Sequence, residues 1–297
     1  MITVNKVGKT QTINLVKSWN FFLVHLVALG VFFVPFRWEL LALCIGYYYL
    51  RMFAITGGYH RYFAHKSYKM RRIPQFLMAV LGTLALQKGP LWWAAHHRHH
   101  HRHSDLPSDL HSPIRDGFWW SHVGWILSNG YDETRYDLIP DFAKFPELVW
   151  LNKYHWVPGT IVGISILLFG GADMFFWVFC LSTVLLWHGT FIINSLCHVF
   201  GGRRYETTDT SRNNLLFALI TLGEGWHNNH HCYDKSTRQG FFWWEIDITY
   251  WILKLLSVVG ITYDLNEPPL EKLKPFLIKK PGRTRRVPVV KVATSQL

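Results

Sequence analysis

Uncharged apolar residues gather into four long runs, separated by segments in which polar residues and histidines dominate. Positions 19–36 are eighteen residues without a formal charge, and a second run, 38–56, has only Glu39 near its start and Arg51 inside it. Two more follow, 156–171 and 174–197, the last within a stretch, 174–202, that contains no Asp, Glu, Lys or Arg. About 20 apolar helical residues cross a hydrocarbon layer of roughly 30 Å, so each run is read as a transmembrane helix. A soluble chain of this size could not build the polar shell needed to bury a 29-residue uncharged stretch. The connections Pro35-Phe36-Arg37 and Gly170-Gly171-Ala172-Asp173 are short enough to turn the chain straight back, giving two hairpins. The shorter apolar stretch 73–86, flanked by Arg71-Arg72 and Lys88, fits an interfacial helix.

Hairpins leave everything else on one face. That face carries Lys6, Lys9 and Lys17, then Lys66, Lys69, Arg71 and Arg72, then eight Lys/Arg between Lys272 and Lys291, which makes it cytoplasmic, with both termini there. The expected fold is an all-α integral membrane protein, four transmembrane helices in two hairpins capped by a cytoplasmic helical domain. That domain is built from 57–155 and 198–265, and a basic tail occupies 266–297. No removable signal peptide is expected at the start. A bacterial cytoplasmic membrane is the favoured location, or the endoplasmic reticulum in a eukaryote. An excess of 31 Lys+Arg over 19 Asp+Glu suits anionic lipid or an acidic partner protein; no nucleic-acid partner is expected.

Four scattered cysteines, Cys44, Cys180, Cys197 and Cys232, form neither a disulfide framework nor a CxxC site. Histidine, 17 of 297 residues, is the unusual component. Three groups lie in the cytoplasmic segments: His60-Arg61-Tyr62-Phe63-Ala64-His65, His97-Arg98-His99-His100-His101 and His227-Asn228-Asn229-His230-His231. On a helix, positions i, i+3 and i+4 share a face, so His97, His100 and His101 converge, as do His227, His230 and His231, giving two metal-binding faces. His60 and His65 lie about 140° apart on an ideal α-helix and can share a metal only where the helix ends or bends. Asn194 and His198 are again i and i+4, at the cytoplasmic end of the fourth run. Neutral imidazoles suit Fe, Zn, Cu or Ni, and nine of them exceed one coordination sphere, so two neighbouring metals follow. The soluble carboxylate-bridged plan needs two Glu-x-x-His pairs, and only Glu224-Gly225-Trp226-His227 occurs. His25, His99, His103, His155 and His188 read as surface or packing residues.

These boxes resemble those of membrane fatty-acyl desaturases of the stearoyl-CoA desaturase type: HRxxxH, HRxHH and HNxHH in that order, with Gly117-Phe118-Trp119-Trp120-Ser121-His122-Val123-Gly124-Trp125 and Gly223-Glu224-Gly225-Trp226-His227 also matching. The similarity runs from about the first span to Asp264, within a desaturase domain of 1–265. It implies a di-iron centre held by His60, His65, His97, His100, His101, His198, His227, His230 and His231, with Asn194 acting through a water and no catalytic side chain beyond the metals. Dioxygen would be the co-substrate. By the same resemblance Gln87 lies beside the substrate tunnel, and Trp93, within the Trp92-Trp93 and Trp119-Trp120 pairs, could wall it or belong to an interfacial belt.

Animal acyl-CoA enzymes carry Arg-Asp where this chain has Ala95-His96, and Arg-Lys near Ser128-Asn129-Gly130. The acyl carrier is therefore open among CoA, carrier protein and glycerolipid. No heme or flavin domain is visible, so electrons must come from an external donor such as a ferredoxin or a b-type cytochrome. The expected reaction removes two hydrogens from adjacent methylenes of a long saturated acyl chain to leave a cis double bond. A lipid or alkane hydroxylase with the same metal cluster is the alternative enzyme. A histidine-rich zinc transporter or sensor is the alternative of another class, though ionisable residues in mid-membrane are scarce, Arg51 and His188 being the nearest.

Overall fold

A computed structural model describes residues 2–6 and 9–278. Most of the basic tail lies beyond 278, outside the described residues. The chain is mainly helical, with two small antiparallel sheets: β1 (Ile2–Lys6) with β2 (Lys9–Ile13), and β3 (Lys69–Met70) with β4 (Thr262–Tyr263).

The first apolar run forms α1 (Trp19–Ala28), which tightens into a 3-10 helix over Leu29–Phe33. The second forms α2 (Trp38–Phe53), whose Leu40, Cys44, Tyr48 and Met52 recur every fourth position and are buried. Arg51 is wholly buried too: its guanidinium donates to Ser182 Oγ (2.6 Å), Thr183 Oγ1 (2.7 Å) and the Leu84 carbonyl (3.3 Å) and lies over the Tyr47 ring. A cation inside an apolar bundle is thereby satisfied by neutral oxygens, and α2 is tied to the fourth run. The helix does not stop near 56 as the apolar pattern predicts. It continues as a π-helix, Ala54–Ala64, buried throughout.

The third and fourth runs make α5 (Trp156–Met174), a π-helical stretch (Phe175–Leu181) and α6 (Ser182–Ser195), ending in a 3-10 turn at Leu196–His198. Gly171, at φ 74 and ψ −177, breaks the helix, and a Cβ on Gly163 would come within 2.7 Å of the Phe179 ring. Residues eight before and eight after the break therefore touch, and the two arms form the expected hairpin. Among the described residues two helical stretches, Trp38–Ala64 and Trp156–His198, are long and apolar enough to cross a membrane; Trp19–Phe33 is apolar but shorter. Between the second and third runs, α3 (Arg72–Thr83) covers the predicted interfacial segment, with Gln75, Met78, Ala79 and Gly82 inward and Ile73 and Leu77 exposed.

α4 (Pro90–His103) starts with Pro at its first turn and carries the second histidine box. The third box forms α7 (His227–Cys232), and α8 (Ile248–Val258) closes over the π-helix, where Thr249 Oγ1 meets Thr56 Oγ1 at 2.7 Å. A Cβ on Gly82 would lie 2.1 Å from the ring of fully buried Tyr59. Gly82→Ala is expected to destabilise the protein by about 1–3 kcal/mol through overpacking, read as a lower thermal midpoint.

Candidate metal centre

The π-helix resolves the five-residue spacing of the first box. Its turns close through i→i+5 bonds, as from His65 N–H to the His60 carbonyl (3.1 Å), so residues five apart stack on one face. The two imidazoles, which an α-helix would splay, have ring centroids 4.7 Å apart.

Nine histidines converge, in two groups. Ligand atoms of His60, His65, His97, His101 and His230 all lie within 4.8 Å of one another, as do those of His100, His198 and His231. His227 joins the second group, its Nε2 standing 3.1 Å from His198 Nε2. The two HxxHH boxes do not form one face each. His97 and His101 serve the first group while His100 serves the second, and His230 leaves His227 and His231 across the divide. The reason is geometric: i and i+4 point one way along a helix, and i+3 lies about 60° around from i.

Carboxylates fix the ring orientation. Nδ1 of His60 faces Glu224 Oε2 (2.5 Å), His100 faces Asp109 Oδ1 (2.8 Å) and His231 faces Asp209 Oδ2 (2.5 Å). His198 and His65 have looser partners in Asp105 (3.4 Å) and Asp234 (3.5 Å). A proton held on Nδ1 leaves Nε2 with its lone pair. Those Nε2 atoms meet each other: His65 and His97 at 2.9 Å, His101 and His230 at 3.0 Å, His60 and His230 at 3.1 Å. Buried His231 Nε2 has no hydrogen-bond partner among the described residues. Lone pairs directed at a common point repel unless a cation lies among them, so the donor set fits metal ions.

Burial keeps the rings ready for this. It lowers His97, His101, His227 and His230 well below the usual histidine range and His65 to about 4. Neutral imidazole is the form that ligates. His100 is the exception: burial pushes it down, but Asp109, Asp209 and Asp105 outweigh that and raise it. Burial would also raise Glu224, yet His60 and Arg61 bring it down from 4.5 to about 2. A depressed carboxylate stabilises the fold fully above about pH 4.5 and less as pH falls toward 2. Acid unfolding followed by circular dichroism is expected to show this loss, and Glu224→Gln to lack that part of it.

The second residue of each of the first two boxes builds the frame. Arg61, fully buried, donates to Glu224 (3.0 Å) and Asp247 (2.9 Å). Arg98 donates to the Phe63 and Ala64 carbonyls (2.8 and 2.9 Å), satisfying the end of the π-helix, and grips Asp141 through both terminal nitrogens. Asn228 Oδ1 accepts from the backbone N–H groups of Arg204 and Tyr205, and Asn229 donates to Glu245, which anchors α7. The carboxylates Asp105, Asp109, Asp209 and Asp234, and Arg61 and Arg98, are absent from the ligand set read in the sequence. Buried His111 is absent too; its ring stacks on His100 at 4.3 Å. Asp105, Asp109 and Asp234 lie within a few residues of a box and Asp209 does not, and pairing any of them with a particular ring needs the fold.

A cavity of about 210 Å³ reaches this centre, lined by Gln87, Trp93, His97, Thr190, Phe191 and Asn194 and opening near Lys17, Lys88 and Asp132. A smaller one beyond Trp93, His97, Thr190 and Asn194 continues past His60 toward Met52 and Ile55. Gln87 Nε2 donates to Thr190 Oγ1 (3.0 Å) between them. Trp93 stacks on His97 and Trp92 also lines the wall, whereas Trp119 is exposed, so the two tryptophan pairs have different surroundings. Of the histidines left out of the ligand set, His155 lines the cavity, His25 and His188 contact each other, and His103 bonds the His99 carbonyl.

Residues 36–256 match the model of the fatty acid desaturase family. The chain is 36% identical over 240 residues to an sn-2 palmitoyl-lipid 9-desaturase of Nostoc sp. (strain 36), covering 79% of this chain and 84% of that one. It is 35% identical over 272 residues to an acyl-CoA C20 Delta5-desaturase of Anemone leveillei, covering 88% and 87%. It is 34% identical over 269 residues to Delta-9 acyl-lipid desaturase 1 of Arabidopsis thaliana, covering 88% and 86%. With a histidine cluster able to hold metal at the end of a mainly apolar cavity, and with this similarity along most of its length, the chain belongs to the fatty acid desaturase family.

Proposed function

We propose that this desaturase introduces a cis double bond into a long acyl chain of a membrane glycerolipid, using dioxygen, two irons and electrons from an external donor. The nine histidines, with Asn194 through a water, hold the irons. Four apolar arms cross the membrane, with both termini and the histidines on the cytoplasmic side.

The number of ligands carries the choice of metal. Five histidines gather in the first group, one more than a tetrahedral zinc site takes, which supports the higher coordination of iron. When bound, the irons and dioxygen supply the oxidising power that no side-chain acid or base has for an unactivated methylene. The protein supplies position: Trp93 and Thr190 line the cavity at His97, so a chain threaded past them lies against the first histidine group. The Gln87–Thr190 bond sets the wall where the two cavities meet.

A glycerolipid is supported by the entrance. It opens beside Lys17, Ser18 and Asn20, where α1 begins, and Leu23, Leu26 and Phe32 of the following helix are exposed. An acyl chain already in the bilayer can enter there. His96, at the place of a CoA-gripping residue in animal enzymes, is instead buried against Trp92, with its Nδ1 on the Trp92 carbonyl.

Gas chromatography of fatty acids from an expressing host, with derivatisation to locate the double bond, tests the reading. New cis-unsaturated acids in the glycerolipid fraction and iron in the purified protein are expected. Hydroxylated lipid would favour the hydroxylase instead, and zinc without iron in native cells would remove the basis of both. Trp93→Ala is expected to lower kcat/KM by on the order of tenfold through looser positioning, measured with the same assay.

A further inference from the structure

α8 carries apolar side chains on its outward side as well as its inward one. Thr249, Tyr250 and Leu253 are buried, with Thr249 on the π-helix. Trp251, Leu255 and Val258, with Val259 just past the end, recur at i, i+4, i+7 and i+8 and are exposed, Val258 by 78%. Lys254 is the single charged residue of the helix and stands about 60° around from Trp251, at the border of that stripe. A helix apolar on both sides needs an apolar neighbour on each.

Two further apolar exposures adjoin it. Thr249 N–H donates to the Leu222 carbonyl (2.9 Å), so α8 starts where the short helix Leu215–Ile220 and its turn end. Leu215, Leu216 and Leu219 of that helix are exposed. At its other end α8 leads into β4, which pairs with β3 directly before α3 and its exposed Ile73 and Leu77. The apolar stripes of three helices are thus joined in a row.

Depth identifies what covers them. The Ile220 carbonyl accepts from Tyr48 Oη on α2 (2.9 Å), and a Cβ on Gly189 of α6 would lie 2.5 Å from the same oxygen. Gly189 is eighteen residues past the break at Gly171, about 27 Å of helix, and nine before His198. A hydrocarbon layer of roughly 30 Å that begins at the break still encloses it. The helix Leu215–Ile220 therefore reaches back from the histidines into that layer. Its carbonyl end is finished as a chain out of water requires: the Phe217, Ala218 and Leu222 carbonyls accept from the N–H groups of Thr221, Gly223 and Thr249, and that of Ile220 from Tyr48.

We propose that Leu215–Ile220 and α8 are inserted into the cytoplasmic leaflet of the bilayer, with their exposed leucines and the Trp251 stripe among acyl chains and Lys254 reaching the headgroups. The half of the cytoplasmic domain that carries the third histidine box is then seated in lipid. The seat is separate from the entrance beside Lys17 and Lys88, whose lining includes none of these residues.

The inference rests on the reading that α2 and α6 cross the membrane, and the test separates the two. Single nitroxides are placed in the full chain, with Cys232→Ser, at four exposed leucines: L216C, L255C, L185C on α6 and L106C near the second box. The protein is set in bilayer discs of phosphatidylcholine and phosphatidylglycerol. Power saturation reads collisions with dioxygen, which concentrates among acyl chains, and with a nickel chelate that stays in water. L216C and L255C are expected to lose relaxation by the chelate and keep relaxation by dioxygen, as L185C does within its span, while L106C responds to the chelate. The two sites lie on separate helices, so a variant that fails to fold leaves the other to decide. A response of either to the chelate, with L185C shielded, overturns the seat and leaves the spans standing. A response of L185C overturns the spanning reading and the seat with it. Shielding of L216C and L255C from both reagents, with dipolar broadening between labels, marks a second copy of this chain as the occupant and overturns the lipid.

Discussion

Replacing His230 by alanine is expected to lower unsaturated product on the order of 100-fold or more while leaving membrane insertion intact. Changes in the groups that merely orient metal ligands cost about 10–100-fold, and His230 stands at the heart of the cluster. Its Nε2 lies 3.1 Å from that of His60 and 3.0 Å from that of His101, and its ring is 4.6 Å from His65. Bound iron per chain, measured on the purified variant, should fall with activity. Full activity in this variant would contradict the assignment of the first histidine group. His100→Ala tests the second group in the same way, since the ligand atom of His100 gathers with those of His198 and His231.

Glu224→Gln is expected to produce the second largest loss, by a different route. The amide keeps the shape but not the charge. With one oxygen in place of two, the amide can accept from His60 Nδ1 or from Arg61 but not from both, and buried Arg61 keeps only Asp247 as an anionic partner. Metal affinity should fall about 10–100-fold, and breaking a buried ion pair destabilises by roughly 3 kcal/mol. Metal titration and chemical denaturation of the same preparation check the two parts separately. Asp234→Asn makes the contrast. Its side chain is 43% exposed and stands 3.5 Å from His65 Nδ1, so solvent already screens the pair and a much smaller effect is expected. Equal losses in the two variants would mean that the carboxylates do not act through ring orientation.

Much of the architecture follows from local pattern. An uncharged run lowers its free energy by leaving water whatever surrounds it, so the apolar stretches and the turns at Pro35 and Gly171 were legible from residue type alone. The HxxHH boxes were legible for the same reason, because helix periodicity is a local property. Arg51 looked like an awkward charge within an apolar run; its neutral partners Ser182 and Thr183 lie more than 130 positions away.

The sequence by itself determined which residues gather: nine imidazoles, the apolar runs that lead to them, and the family they mark. Only the tertiary structure decided how they are shared. The widened turns of Ala54–Ala64 stack His60 over His65, each later box divides between two groups, and aspartates far along the chain orient particular rings. Hydrogen-bond direction and ring convergence depend on the relative placement of distant helices, to which periodicity within one helix is blind. His25 and His188 show this most clearly. Each reads as a solitary ring in an apolar helix, and packing of α1 on α6 sets them 3.1 Å apart.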